Sequence, residues 1–225
     1  MSLGPSQPVA VIFDMDGVLV DSNPFHLRKW AALFRAHGIP FDEKELPQAV
    51  LGPANQDILR RFLGPHLTKA ELEKLGEELE ANFRREIGPH PQPLAGVRRF
   101  LHECYAQGIP MAVASAAIAK NVKFLLDSLH LRRYFRVTLA ADGTVHPKPH
   151  PEIYLKTATL LTVVPTACVV FEDSFVGIEA AKRAGMKCVA IASTFSADEL
   201  RTRTGADLVV QDFQAVTLPA LGELF

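Results

Sequence analysis

Four stretches carry residues that could do chemistry together. FDMDG (13–17) holds Asp14 and Asp16 with one residue between them, directly after the apolar run VAVIF (9–13). Ser115 closes the run MAVAS (111–115). Lys148 lies in HPKPHPEIYL (146–155), which follows VTLAA (137–141) and a short loop. Glu172 and Asp173 follow CVVF (168–171). Each has a plain explanation when read alone. Asp-Gly is a common turn signal. Ser115 is a candidate helix cap and Lys148 a solvated loop lysine. Glu172-Asp173-Ser174 reads as a helix start, where acids are stabilised by the dipole. Together and in order, they put four carboxylates, a hydroxyl and an amine at the ends of apolar runs. Crowded carboxylates repel one another without a cation, and function is what tolerates such strain.

These residues need a scaffold that brings strand ends together. VAVIF, MAVAS, CVVFE (168–172) and CVAIA (188–192) are near-continuous apolar runs, with VTLAA and DLVVQ (207–211) as weaker ones. Such runs fit strands buried on both faces of a parallel sheet. Helical patterns separate them: GVRRFLHECYAQG (96–108), KNVKFLLDSLH (120–130) and SFVGIEAAKRAG (174–185), the last with a Ser N-cap candidate and a Gly C-cap candidate. The alternation predicts an α/β fold with a doubly wound parallel sheet, whose sites form at the carboxyl ends of the strands. One region breaks the rhythm. Between the first strand and GVRRF lie only helical patterns: PFHLRKWAALFRAHG (24–38), NQDILRRFLG (55–64) and KAELEKLGEELEANFRRE (69–86). In the last, Leu72, Leu75, Leu79 and Phe83 mark one face and the charges read as a solvated face. The region ends at GPHPQPLAG (88–96), a Pro/Gly-rich hinge candidate. The expected division is a core of residues 1–22 and 92–225 with an inserted α-helical cap of residues 23–91.

Composition narrows the class. The chain has 225 residues, 48% hydrophobic and 22% charged, with a formal net charge of −1. No Lys/Arg run forms a basic stripe, so nucleic acid is not an expected partner. Three cysteines, Cys104, Cys168 and Cys188, are far apart and form no CxxC pair. A disulfide framework or zinc site is not expected, and a reducing, cytoplasmic compartment fits. MSLGPSQP shows neither a basic n-region nor a long apolar stretch, so neither a signal peptide nor a membrane span is expected; Met1-Ser2-Leu3 leaves its origin open. No extra apolar stripe stands out, and a monomer is the default expectation. Neither GxxxxGK[ST] nor GxGxxG occurs, which disfavours nucleotide-dependent and dinucleotide readings. An EF-hand starting at DMDG fails because its twelfth position is Phe25. There is no HExxH pair, and Ser115 has no GxSxG context.

The whole set resembles the haloacid dehalogenase superfamily, in its phosphatase and phosphomutase branch with a helical cap. FDMDGVLVDS resembles the first motif, VASA the second, KPHPEIYL the third and VVFEDSFVGIEAAKRAGM the fourth. The resemblance runs through nearly the whole chain. The dehalogenases lack the second aspartate, so Asp16 argues for phosphoryl transfer. The resemblance implies Mg²⁺-dependent hydrolysis of a phosphomonoester. Asp14 would attack phosphorus and become an aspartyl phosphate. Asp16 would protonate the leaving alkoxide and then deprotonate the attacking water. Asp14, the backbone carbonyl of Asp16 and Asp173 are the implied Mg²⁺ ligands, with Glu172 behind them or linked through water. Lys148, the Ser115 hydroxyl and backbone N–H groups near Gly17 and Ala116 would hold the phosphoryl oxygens. Gly17 lets the chain turn and the phosphate approach. Asp21 and Ser22 read as a turn and hinge into the cap.

The cap is expected to choose the substrate while it excludes water. His26, twelve residues after Asp14, and Trp30 resemble positions of β-phosphoglucomutase, whose histidine helps proton transfer to the sugar. A partly buried helix histidine explains His26 equally well. The mutase's Ser-Arg grip on a second phosphate is missing: the corresponding stretch, LGPANQDILRR (51–61), carries Ala54-Asn55. Arg60 and Arg61 read as exposed helix arginines. Lys120-Asn121 stands further along the chain than the mutase's Lys-Asn pair. The preferred expectation is therefore a phosphatase acting on a small phosphorylated metabolite, a sugar or polyol phosphate, with Asn55 and His26 near the substrate. A phosphomutase is the alternative, and a catalytically idle binding protein is the reading outside enzymes.

Overall fold

The computed structural model describes residues 10–53, 55–88 and 91–225. Met1-Ser2-Leu3, Val9 of the first run, Ala54, and Pro89 and His90 of the hinge stretch lie outside the described residues. In chain order the strands are β1 (Ala10–Phe13), β2 (Met111–Ala114), β3 (Val137–Leu139), β4 (Cys168–Glu172), β5 (Lys187–Ile191) and β6 (Leu208–Val210). They form one parallel sheet in the order β3-β2-β1-β4-β5-β6. β1 thus sits between β2 and β4, with Phe13 beside both Val113 and Phe171. The order reverses direction at β1, and a ligand crevice forms at such a switch point.

The apolar runs are continuous because each strand feeds two cores. Successive side chains point to opposite faces. Val11, Phe13, Val113, Val169 and Phe171 enter one cluster. Ala10, Ile12, Ala112, Ala114 and Val170 enter the other. Phe13 and Phe171 stack across the central pair with centroids 5.3 Å apart. This packing fixes the register of β1 against β4, and so the relative positions of the acids that follow each strand.

The helices are α1 (Asn23–Ala36), α2 (Leu46–Val50), α3 (Asn55–Leu63), α4 (Lys69–Ile87), α5 (Val97–Ala106), α6 (Ala119–Ser128), α7 (Glu152–Leu161), α8 (Phe175–Arg183), α9 (Ala197–Arg203) and α10 (Leu218–Gly222). The first four are inserted after β1 and share a hydrophobic cluster of their own that includes Trp30, Phe34, Ile58, Leu59 and Leu72. α4 starts at a capping box, in which Thr68 and Glu71 exchange hydrogen bonds.

α7 begins at Glu152, inside HPKPHPEIYL, with Ile153, Tyr154, Thr157, Ala158 and Leu161 on its buried face. Pro151 stands just before the helix, where its missing N–H is harmless. One expectation needs correction: the charges of α4 are not all solvated. Glu80 is 5% exposed, and Lys29 of α1 faces it at 4%. A carboxylate can sit on a buried face only when a partner of opposite charge comes with it, and that partner comes from another helix.

Candidate active site

The site is built on the ends of β1 and β4. The Asp14 N–H donates to the Phe171 carbonyl at 2.9 Å, which holds the residue at the rim of the sheet. Lys148 is buried and its Nζ donates to Oδ1 of Asp14 at 2.7 Å and to Oε1 of Glu172 at 2.6 Å. Tyr154, on α7, donates its hydroxyl to the same Glu172 oxygen at 2.8 Å. The other oxygen of Glu172 accepts from the N–H groups of Asp173 and Ser174 and from the Ser174 hydroxyl. Both Glu172 oxygens are thus occupied by protein donors, and the carboxylate works as a bracket for the ammonium. Burial alone would push Lys148 down; Asp14 and Glu172 outweigh it and hold the ammonium above its ordinary range. Asp14 behaves in the opposite way. Burial raises its carboxyl to about 7, with Glu172 and Asp16 adding to the rise and Lys148 opposing it.

Asp173 stands beside this pair. Its Oδ2 accepts from Asn23 Nδ2 at 2.7 Å and from the Thr194 hydroxyl. Burial pushes its carboxyl well up, and the neighbouring charges of Glu172 and Asp14 push the same way. Gly17 has φ +73°, and a Cβ there would overlap Asp173 and Asn23. Only glycine fits that turn against those two side chains. Gly177 meets a similar limit, since its Cβ would overlap the Glu172 carboxylate.

Asp16 points toward the inserted helices. Its Oδ1 accepts the Ser22 hydroxyl at 2.5 Å and lies 3.0 Å from His26 Nε2. The His26 ring stacks on Phe83 of α4, centroid to centroid 4.1 Å. Burial favours the neutral acid, but His26, Ser22 and Lys29 outweigh it and lower the Asp16 carboxyl. The first two aspartates are therefore driven apart, as groups with different proton tasks commonly are.

A cavity of about 490 Å³ opens between the strand ends and the inserted helices. Asp14, Asp16, Lys148, Glu172, Asp173, Ala116, His26 and Asn55 all line it. Ser115 does not line it: the residue is fully buried and its hydroxyl accepts from the Ala117 N–H at 3.0 Å. Gly17 lies behind the wall, under Asp173. Arg60 and Arg61 are exposed, and only Arg60 reaches the cavity mouth. Asp21 is exposed in the turn, while Ser22 goes beyond a hinge role by gripping Asp16. Asn23, Thr194 and Tyr154 carry no expectation from sequence, and Glu80 reads there as part of a solvated face. Thr194 follows the apolar run of β5, and reading that fifth strand end would have found it.

A family model described as haloacid dehalogenase-like hydrolase matches residues 11–191. The chain belongs to that family. It is 31% identical over 214 residues to validoxylamine A 7'-phosphate phosphatase of Streptomyces hygroscopicus subsp. limoneus, with 94% of this chain and 97% of that one covered. It is 33% identical over 190 residues to a fructose-1-phosphate phosphatase of Escherichia coli (strain K12), covering 80% and 94%. The crystal structure of β-phosphoglucomutase from Clostridium difficile superposes with a TM-score of 0.85 at 27% identity, covering 96% of both chains.

The donor set of this haloacid dehalogenase-like hydrolase suits a hard divalent cation. Asp14, Glu172 and Asp173 bring carboxylate oxygens together in a buried cluster. Lys148 is the ammonium that faces them, and burial, with the neighbouring carboxylates added, still holds the Asp14 and Asp173 carboxyls up. Oxygen donors in this arrangement match Mg²⁺. Among the described residues, no helix is long and apolar enough to cross a membrane.

Proposed function

We propose that the protein is a Mg²⁺-dependent phosphatase of small phosphomonoesters, sugar or polyol phosphates, that works through an aspartyl phosphate on Asp14. The observation that carries this reading is the pairing of Asp14 with Lys148 at 2.7 Å on the floor of a cavity that also presents Asp16. The phosphatase relatives support the same reading. Asp14 and Asp173, with the Asp16 carbonyl, would hold Mg²⁺. When bound, the ion neutralises charge between the phosphate and the attacking carboxylate. Lys148 does the same from the opposite side, already seated by Glu172 and Tyr154.

The steps assigned to this chain are few. Asp14 attacks phosphorus through the oxygen not held by Lys148, and the phosphorus–oxygen bond to the leaving group breaks. The negative charge of the bound phosphate favours the protonated form of Asp16, which gives its proton to that oxygen and later takes one from the water that opens the aspartyl phosphate. Ser22 and His26 keep Asp16 aimed at the space above Asp14. Residues 23–91 act as a cap that keeps bulk water out of the cavity. The three buried free thiols suit a reducing cytoplasm.

A mutase is the second reading, favoured by the His26–Asp16 contact at 3.0 Å. The charges on the cavity lining argue for the phosphatase. Arg60 and Lys148 are the lysine and arginine side chains on the cavity lining, and Lys148 is engaged with Asp14 and Glu172. The lining also carries Asp57, whose carboxylate would repel a second phosphate, while Glu80 there is paired with Lys29. The test is turnover of a panel of phosphorylated sugars and polyols with Mg²⁺, for the wild type and Asp14→Asn. Phosphate release that vanishes in the variant is expected. Retained turnover in Asp14→Asn would remove the aspartyl-phosphate mechanism. Glucose 6-phosphate formed from β-glucose 1-phosphate and a trace of the bisphosphate would establish the mutase instead.

A further inference from the structure

We propose that Asn121 is the core half of a latch, holding Glu80 and Arg84 of the inserted helices so that His26 is seated against Asp16. Asn121 lies in the first turn of α6, on the sheet side of the cavity. Its Nδ2 donates to Glu80 Oε2, and its Oδ1 accepts from Arg84 Nη1. Glu80 and Arg84 are four residues apart on α4, so both side chains reach the same point. One amide thus reads two opposite charges with its two ends, an orientation that neither a carboxylate nor an ammonium could satisfy.

The network is dry. Asn121 is fully buried and Glu80 is 5% exposed, so water cannot replace a lost partner cheaply. Glu80 also holds α1 and α3 in place. Its Oε1 accepts from Lys29 Nζ at 2.6 Å and from the Asn55 amide. Burial pushes the Glu80 carboxyl up, but Lys29, His26 and Asn55 outweigh it and keep the group low. Between Glu80 and Arg84 on the same helix stands Phe83, the residue on which His26 stacks. Where α4 docks on α6 therefore fixes where His26 stands relative to Asp16. Asn121 makes no contact with Asp14 or Lys148 and is a positioning residue.

The kinetic test rests on the phosphatase reading; the exchange test does not. Asn121→Asp sets a second carboxylate against Glu80. With sorbitol 6-phosphate as probe, kcat/KM should fall at least about tenfold. Acetyl phosphate should be nearly spared, because acetate leaves without a proton and needs no seated His26. In the double variant Glu80→Gln/Asn121→Asp the hydrogen bond runs the other way, from the new amide to the new carboxylate, which still accepts from Arg84. Partial recovery is expected, above the single variant but short of wild type, because Lys29 loses the carboxylate of Glu80. Hydrogen exchange in the full chain reads the same latch without turnover. Amides of α4 and α6 should exchange faster in Asn121→Asp and return toward wild type in the double variant. Wild-type behaviour of Asn121→Asp in both tests, or a double variant no better than the single one, overturns the latch. If the wild type hydrolyses neither probe, the phosphatase reading falls and the exchange result alone decides the latch.

Discussion

Lys148 lies 2.7 Å from Asp14, and it does so from a segment 134 residues away. Nothing near either residue in the chain enforces the contact. Glu172, at the end of β4, enforces it, with its own place set by the strand pair β1–β4. The charge of Lys148 then serves two purposes. It offsets the burial of Asp14 in the resting protein and is already in place for the phosphoryl oxygens.

Replacing Lys148 by Met should lower kcat for any phosphomonoester by on the order of 10²-fold or more, the usual scale for one preorganised electrostatic group. The same change leaves two buried carboxylates without their cation. Removing one partner of a buried pair costs about 3–5 kcal/mol. Lys148→Met should therefore melt lower without Mg²⁺, and Mg²⁺ should restore more stability to it than to wild type. Thermal melts with and without EDTA check both statements.

His26→Gln tests the proton chemistry of Asp16. It keeps a donor near Asp16 but removes the imidazole that faces it. General acid–base groups contribute roughly 10²–10⁴-fold, so kcat should drop, most for esters whose leaving group needs a proton. Stability gives a second readout. The folded Asp16 carboxyl lies below its unfolded value, so its contribution is present above that value and is lost as pH falls through the folded one. Without His26, burial of Asp16 is less well opposed and its folded value rises. The acid-side loss of stability should then be smaller in His26→Gln than in wild type, measured by melting from neutral pH down through the acid range.

The chemistry was legible in sequence wherever a reactive residue type follows an apolar run. Asp14, Asp16, Lys148 and Asp173 reach one cavity because parallel strands end on the same side. Thr194 obeys the same rule and lies one strand further out. Asn23 was not legible, and Asn121 was visible only as part of a Lys-Asn pair, not as a contact with the inserted helices. An asparagine in the first turn of a helix reads as local structure, and only tertiary packing shows Asn23 holding Asp173 across 150 residues. Glu80 was hidden for a related reason. On a helix rich in charge its burial depends on Lys29, a cation on a different helix.

Asp14→Asn should stabilise the metal-free protein at alkaline pH. The folded Asp14 carboxyl is raised from 3.8 to about 7. Between those values the native state binds more protons than the unfolded state, so stability falls as pH rises. Above about 7 the full cost is present, and asparagine does not bear it. In EDTA at pH 8 the variant should melt several degrees higher than wild type, at roughly 2–4 °C per kcal/mol for a chain of this length. Near pH 4 the difference should shrink. A variant that melts lower than wild type at pH 8 would show that the Lys148 pairing outweighs the burial of Asp14.

Asn23→Ala should weaken Mg²⁺ binding without touching a reacting atom. Asn23 Nδ2 donates to Asp173 Oδ2, the oxygen that Thr194 also holds. Groups that orient a metal-binding carboxylate commonly account for about 10–100-fold in metal affinity. Calorimetric titration with Mg²⁺ should show a loss of that order in Asn23→Ala. A smaller loss is expected in Thr194→Val, because Asn23 remains to hold Asp173. At saturating Mg²⁺ both variants should recover most of the wild-type kcat, since Asp14, Asp16 and Lys148 are unchanged. A kcat that stays low at saturation would move Asn23 from holding the metal ligand to shaping the path of the leaving group.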